Sequence, residues 1–148
     1  MITGFNHMAL SVSRLERSVA FYRDLLGLEL VRILECPPRT RLDEVVGLPG
    51  CTARIAHLRK GGAMLELFEY QDPRGQAIPA DRRQADLGWI HLGFTSTDVR
   101  ADHEKLRAQG VRFVRAPLEF RPGVWICYFY GPDGEVCELR QTPGDDEG

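Results

Sequence analysis

Two of the four histidines occupy equivalent places in two copies of one sequence unit. His7 lies in the alternating stretch Phe5–Val12 and His91 in Trp89–Ser96, each two positions after a large aromatic residue. Neutral imidazole binds divalent metal ions, and the ring also transfers protons near neutral pH. A repeat at a fixed offset, here 84 positions, further predicts that the two halves of the chain share one fold.

Each half also closes on a short apolar run that contains one glutamate. These are Glu66 near the end of the first half and Glu138 near the end of the second. Strand alternation places Glu66 on the face of Met64 and Phe68, whereas Glu69 falls on the opposite face. Carboxylates bind divalent ions and accept protons. The repeat therefore favours a functional role for one histidine and one glutamate from each half.

The remaining two histidines lie outside the repeated positions. His57 falls in a predicted strand and His103 in a predicted helix. A single histidine in such a place is more often a satisfied structural residue than a ligand, so both are interpreted as structural.

Length, charge and apolar content restrict the class of protein. A chain of 148 residues with 43% hydrophobic residues is typical of one compact globular domain. The net charge of −2 and the lack of a basic stripe argue against a nucleic-acid partner. No apolar run approaches the ~18–20 residues of a membrane span. With no export signal at the N-terminus, the four cysteines are interpreted as reduced thiols of a cytoplasmic protein.

Alternation and helical spacing predict the order βαβββ in each half. In the first half, the S-x-x-E sequence at Ser13–Glu16 is typical of a capping box that starts a helix, and Gly27 suits its end. The predicted strands of the first half are 4–12, 28–34, 52–59 and 63–70. The second half is predicted to have a strand at 89–96, a helix at 98–109 and strands at 111–115, 124–130 and 135–140.

The predicted elements divide the chain into two modules of one domain. The first module is expected at 1–70, a polar connector at 71–87, the second module at 88–142 and a flexible tail at 143–148. The histidine and glutamate are 59 positions apart in the first module and 47 in the second. The longer separation fits the loop Cys36–Gly50, which also carries a predicted short helical turn. A long loop in a compact fold is commonly functional, so this one is a candidate substrate lid.

The paired layout resembles the vicinal oxygen chelate superfamily, which includes glyoxalases, bleomycin-resistance proteins and extradiol dioxygenases. The resemblance covers nearly the whole chain, and it implies an α+β fold whose two βαβββ repeats form an open eight-stranded cup around a metal site. It is carried by motifs in a fixed order, namely Asn6-His-Met-Ala-Leu10, the run Ser18–Glu29, Leu65-Glu-Leu-Phe68, Ile90-His-Leu-Gly93 and the run Gly131–Leu139.

Residue by residue, the resemblance implies that the metal ligands are His7, Glu66, His91 and Glu138. It implies one divalent ion per site, which can be Ni, Co, Zn, Mn or Fe(II). Such an ion can bind adjacent oxygens of a small-molecule substrate and stabilise an enediolate when a neighbouring carbon loses its proton. A ligand glutamate, Glu66 or Glu138, would then be the catalytic group that takes this proton.

Three side chains outside the ligand set are candidate substrate contacts. These are Arg54, Tyr128 and Tyr130, which are expected to reach the cup or to cover its rim. The resemblance also implies a homodimer, and the metal ligands can come from one chain or from two, since both pairings occur in the family.

The reaction stays open among three classes. A glyoxalase-like lyase, isomerase or epimerase uses all four ligands and transfers a proton. An Fe(II) extradiol-type dioxygenase needs only two histidines and one carboxylate. A small-molecule binding or resistance protein needs no catalysis. Bacterial glyoxalase I has an arginine at the position matched by Ser11 and an asparagine at the position matched by Tyr70, and both hold glutathione there. Their absence argues against glutathione as part of the substrate.

Overall fold

The computed structural model describes residues 1–144. These residues fall into two compact units, Met1–Ala77 and a second unit that begins at Ile78. The division lies within the polar segment 71–87. Residues 145–148 of the expected tail lie outside the described part of the chain. No helix within residues 1–144 is both long enough and apolar enough to cross a membrane.

The first unit is a four-stranded mixed sheet with two short helices. Its sheet has the order β1-β4-β3-β2, and only β1 and β4 are parallel neighbours. The elements are β1 (Met8–Ser11), α1 (Leu15–Ala20) with a π-helical continuation at Phe21–Leu25, β2 (Glu29–Cys36), α2 (Arg41–Val46), β3 (Thr52–Lys60) and β4 (Ala63–Asp72).

The second unit repeats this arrangement. Its strand order is β5-β8-β7-β6, with β5 parallel to β8 and the other neighbours antiparallel. Its elements are β5 (Leu92–Thr95), α3 (Val99–Ala108), β6 (Leu118–Arg121), β7 (Val124–Tyr130) and β8 (Val136–Gln141). The prediction of an α+β fold built from two βαβββ modules is confirmed.

The register of the parallel strands shows how closely the two units correspond. Ala9, two residues after His7, lies opposite Glu66. Gly93, two residues after His91, lies opposite Glu138. Because side chains two positions apart share a face of a strand, each unit directs its histidine and its glutamate to the same side of its sheet.

The opposite face of each sheet packs against a helix and forms the core. On β4 the residues flanking Glu66, Leu65 and Leu67, are buried together with Leu15 of α1. Burial of a leucine side chain is worth about 1.5–3 kcal/mol, so this face dominates the stability of the unit. In the second unit the core is formed by buried side chains of α3 and of strands β7 and β8. They are Val99, His103 and Leu106 of the helix and Cys127, Phe129, Cys137 and Leu139 of the strands.

The predicted strand at 111–115 is wrong. Among these residues the structure has one isolated bridge, between Phe113 and Phe129. Backbone hydrogen bonds at Val114 and Arg112 join this bridge to β7. The regular strand that pairs with β7 is β6, which follows Pro117 and forms a hairpin with β7. Gly123 in the turn has a φ of 79°, a conformation that favours glycine. All four residues of β6 are exposed, so hydrophobic alternation carried little signal for it.

The helix predicted to begin at the Ser13–Glu16 sequence is present as α1. The residue at its N-cap is Arg14, whose own side chain makes no capping hydrogen bond. Arg17 donates a hydrogen bond to the Ser13 hydroxyl, and the Glu16 carboxylate accepts one from Arg54 of β3. The capping box itself stays a prediction.

The loop between β2 and β3 contains the predicted helical turn. This turn is α2, which ends at Gly47 in the left-handed conformation, with a φ of 68°. None of the residues of α2 is buried, and the Asp43 carboxylate accepts a hydrogen bond from the Gly50 amide. The role of this loop as a substrate lid stays a prediction.

Candidate functional site

His7 and Glu66 form the site of the first unit. His7 immediately precedes β1, and its Nε2 lies 3.5 Å from Oε2 of Glu66. Its Nδ1 donates to Oδ1 of Asn6 at 2.9 Å, which leaves the lone pair on Nε2. Two electron-pair donors therefore face each other, and this contact is favourable only when a cation or a proton lies between them.

A third side chain completes this cluster. Nε2 of His57 lies 3.5 Å from Oε1 of Glu66, and His57 is directly opposite Glu66 in the register of β3 and β4. Nδ1 of His57 accepts a hydrogen bond from Nε of Arg32 at 3.2 Å. The histidine that was interpreted as structural thus lies at the candidate site, buried beside its glutamate.

The second unit holds His91 and Glu138 in nearly the same geometry. Nε2 of His91 lies 3.6 Å from Oε2 of Glu138, against 3.5 Å in the first unit. The chain leading to His91 is fixed by its neighbours, because Arg82 donates to the carbonyl of Trp89 and Gln84 to that of Ile90. The His91 ring packs against Tyr128 with centroids 5.2 Å apart.

Tyr128 also acts on Glu138 directly. The two residues are cross-strand partners. Burial, the charge of the Glu138 carboxylate and hydrogen bonding to it together raise the pKa of Tyr128. Burial, followed by the charges of Glu138 and Asp102, raises the pKa of Cys127 to about 11. Both groups are therefore neutral near pH 7.

The other two expected substrate contacts differ in position. Tyr130 shares a strand face with Tyr128, and the Arg112 guanidinium lies 3.9 Å above its ring. Arg54 lies opposite Glu69, on the face of the sheet that carries Leu67 and not Glu66. Its guanidinium forms ion pairs with three carboxylates, those of Glu16, Glu35 and Glu69. Hydrogen bonds to Glu16 and Glu35 raise the pKa of Arg54. Arg54 therefore lies on the face of the sheet opposite Glu66, and its contact with substrate stays a prediction.

The residues fit a divalent metal ion as pairs. Within residues 1–144 no group of three or more His, Cys, Asp or Glu is arranged so that it could hold a metal ion. Each unit nevertheless presents one imidazole nitrogen and one carboxylate to the same point, which is a suitable donor set. In the second unit Nδ1 of His91 is buried and has no hydrogen-bonding partner among the described residues. Nε2 of the same ring faces Oε2 of Glu138 at 3.6 Å, so a cation between the two atoms would bind this histidine through Nε2.

The roles of His57 and Arg32 were not identified from the sequence. Their contact depends on the pairing of β2 with β3, in which Arg32 lies opposite His57. The spacing of His57 and Glu66, nine positions across the turn at 60–62, was the available signal. A two-residue turn after Lys60 places such residues opposite each other in a hairpin.

Comparisons with known proteins agree with the fold. The family model described as Glyoxalase/Bleomycin resistance protein/Dioxygenase superfamily matches residues 4–139. A 2-epi-5-epi-valiolone epimerase from Actinomyces sp. is 37% identical, over 93% of this chain and 79% of the relative. A probable lactoylglutathione lyase from Synechocystis sp. is 26% identical, over 92% of this chain and 93% of the relative.

The fold is shared with a solved structure over nearly its whole length. The crystal structure of a glyoxalase family protein from Bacillus cereus superposes with a TM-score of 0.87. The match covers 97% of both chains at 20% sequence identity, and so it shows the fold alone. With the family model spanning both units, these matches show that the chain belongs to the glyoxalase/bleomycin resistance protein/dioxygenase superfamily.

Proposed function

We propose that this chain is a metal-dependent epimerase that removes and returns a proton at a carbon next to a carbonyl group. The observation that carries the proposal is the matched geometry of the two pairs. The distance from imidazole Nε2 to carboxylate oxygen is 3.5 Å in one unit and 3.6 Å in the other. The epimerase and the lyase among the relatives support an enzyme of this superfamily.

The ligands in this proposal are His7, Glu66, His91 and Glu138. The pair from each unit supplies one imidazole and one carboxylate, so the proposed site has two neutral imidazoles and two carboxylates. The two negative charges of the carboxylates balance a divalent cation. The units that combine can belong to one chain or to two copies. A divalent ion held there supplies Lewis-acid polarisation of a substrate carbonyl. Polarisation of that kind makes the neighbouring C–H bond more acidic, and a glutamate carboxylate can accept the proton.

The substrate class follows from the relatives and from the residues near the pairs. The name 2-epi-5-epi-valiolone contains the endings that denote hydroxyl and ketone groups. Ser11 and Tyr70 share the Glu66 face of their sheet. Neither carries a positive charge at pH 7, and burial raises the pKa of Tyr70. Uncharged hydroxyl donors suit a polyhydroxylated ketone better than an anionic peptide thiol.

Deuterium exchange tests the proposed function. The metal-loaded chain is incubated with 2-epi-5-epi-valiolone in deuterated water, and carbon-bound deuterium is measured by mass spectrometry and NMR. We expect exchange that depends on the metal and not on oxygen, because a carboxylate that takes a proton can exchange it with water before returning it. Activity is expected with Ni, Co or Mn in place of Fe(II), since proton transfer needs no change of redox state.

Other substrates and conditions in the same assay identify the competing reactions. A hemithioacetal of a 2-oxo aldehyde and a 2-methyl acyl thioester test the lyase and thioester epimerase reactions. Oxygen consumption with a catechol, seen only with Fe(II), would overturn the proposal in favour of a dioxygenase. Binding of these compounds without exchange or oxygen consumption would instead indicate a binding protein.

We also propose a homodimer. The edge strands β2 and β6 expose apolar side chains, including Ile33 and Phe120. Exposed edge strands with apolar residues are commonly covered by another chain. Sedimentation velocity at high micromolar concentration is expected to give the mass of two chains, and a single-chain mass at that concentration would contradict this assignment.

A further inference from the structure

Each glutamate of the candidate site has a hydrogen-bonding side chain directly across its sheet. His57 lies opposite Glu66 and Tyr128 lies opposite Glu138, and both facing residues are on the antiparallel neighbour of the strand that carries the glutamate. Directly opposed residues have Cβ atoms about 4.5–5.5 Å apart, so their side chains meet. The two units thus support their glutamates from the same place with different groups.

The tautomer of His57 is set by Arg32. A guanidinium has only donors, so Nδ1 of His57 must accept the hydrogen bond of 3.2 Å that it receives from Nε of Arg32. The proton of the neutral ring then lies on Nε2, the atom that faces Oε1 of Glu66 at 3.5 Å. This distance is long for a hydrogen bond, but such contacts at sites without ligands commonly shorten when the site is filled.

The two oxygens of Glu66 therefore have different partners. Oε1 faces the N–H of His57, and Oε2 faces the lone pair of His7. The N–H of His57 therefore orients the Glu66 carboxylate through Oε1. In this orientation Oε2 is the oxygen that can share a cation with His7. His57 is 8% exposed, and so water competes weakly for its N–H.

We propose that His57 is a positioning residue for Glu66 and that Arg32 fixes its tautomer. The inference rests on the proposed function, because it assigns His57 the task of orienting a metal ligand. His57 itself does not bind the ion. Hydrogen-bonding partners of metal ligands are known to set both the orientation and the affinity of the ligand.

Cobalt binding by variants of the full chain tests this role. Co(II) is titrated into the wild type and into His57→Leu, His57→Gln and Arg32→Met, with affinity and visible absorption as readouts. His103→Gln is the matched control, since His103 is equally buried and contacts a glutamate, Glu104, that lies outside the site. Circular dichroism and thermal unfolding verify that each variant is folded.

The expected pattern separates positioning from a structural role. We expect His57→Leu to weaken Co(II) binding by about 10–100-fold and to change the visible absorption spectrum of the bound ion. The Co(II) affinity of His57→Gln should stay within about 3-fold of wild type, because glutamine keeps an N–H donor. The control should bind as wild type does. In metal-free wild type, ¹H–¹⁵N correlation NMR should show His57 protonated on Nε2, and Arg32→Met should shift it toward a mixture of tautomers.

Three results would overturn the inference alone. They are unchanged Co(II) binding in a folded His57→Leu variant, equal losses in His57→Leu and His57→Gln, and a wild-type ring protonated on Nδ1. Failure of the wild type to bind Co(II) would be a different result, because it would refute the proposed function and the positioning role together.

Discussion

Replacing His7 or His91 with alanine is expected to abolish stable metal binding. Each imidazole supplies one of four proposed ligands, and Nε2 of each already faces its partner carboxylate at 3.5 or 3.6 Å. Loss of an outer hydrogen-bonding partner costs about 10–100-fold in metal affinity, and loss of a direct ligand is expected to exceed this range. The measurement is the metal content of the purified variants and their dissociation constants for Ni(II) or Co(II).

His103→Ala is the control for these two variants. It removes a buried histidine from α3, where the ring packs against Phe113 with centroids 4.4 Å apart. We expect this variant to lose stability, since it leaves a cavity in the core, and to keep its metal. Full metal retention in both His7→Ala and His91→Ala would contradict the proposed ligand set.

Replacing Glu138 with glutamine is expected to reduce deuterium exchange by about 10²–10⁴-fold at saturating metal, the usual contribution of a general base. The two glutamates have different neighbours. Glu66 lies between the Nε2 atoms of His7 and His57. Glu138 lies near His91 and opposite Tyr128, whose hydroxyl can both donate and accept a hydrogen bond, and we therefore choose Glu138 as the proposed base.

Two further variants complete this test. Glu66→Gln should weaken metal binding while keeping exchange at saturating metal within about tenfold of wild type, because the amide oxygen can still face the ion. Glu69→Gln is the matched control, since Glu69 lies on the same strand but on the opposite face, opposite Arg54. It should leave exchange unchanged. Exchange that survives in Glu138→Gln and disappears in Glu66→Gln would reverse the assignment of the base.

The repeat allowed the paired sites to be predicted from sequence because both units use the same register. The residue two places after each histidine lies opposite the glutamate in both sheets. Because side chains alternate between the two faces of a strand, this shared register appears in the sequence as a repeated pattern of residue types. The same reasoning placed Glu66 and Glu69 on opposite faces, as the pairing of β4 with β3 shows.

The features that sequence analysis missed depend on contacts between strands. Arg54 was expected to reach the cup or to cover its rim, and the face on which it lies is known only from its pairing with Glu69. The role of Arg32 needs the register of β2, which is irregular between Leu30 and Arg32. In the second unit the exposed edge strand β6 has no buried face, so alternation could not distinguish it from the segment at 111–115.

Metal analysis of the wild-type chain purified without chelators tests whether the four proposed ligands hold a metal ion. We expect about one divalent ion per chain, bound as isolated or after incubation with Ni(II), Co(II), Zn(II), Mn(II) or anaerobic Fe(II). The bound ion should be lost on acidification, because ligand imidazoles and carboxylates must be deprotonated to bind. A folded chain that binds none of these ions at any of these steps would contradict the assignment of His7, Glu66, His91 and Glu138 as a metal site.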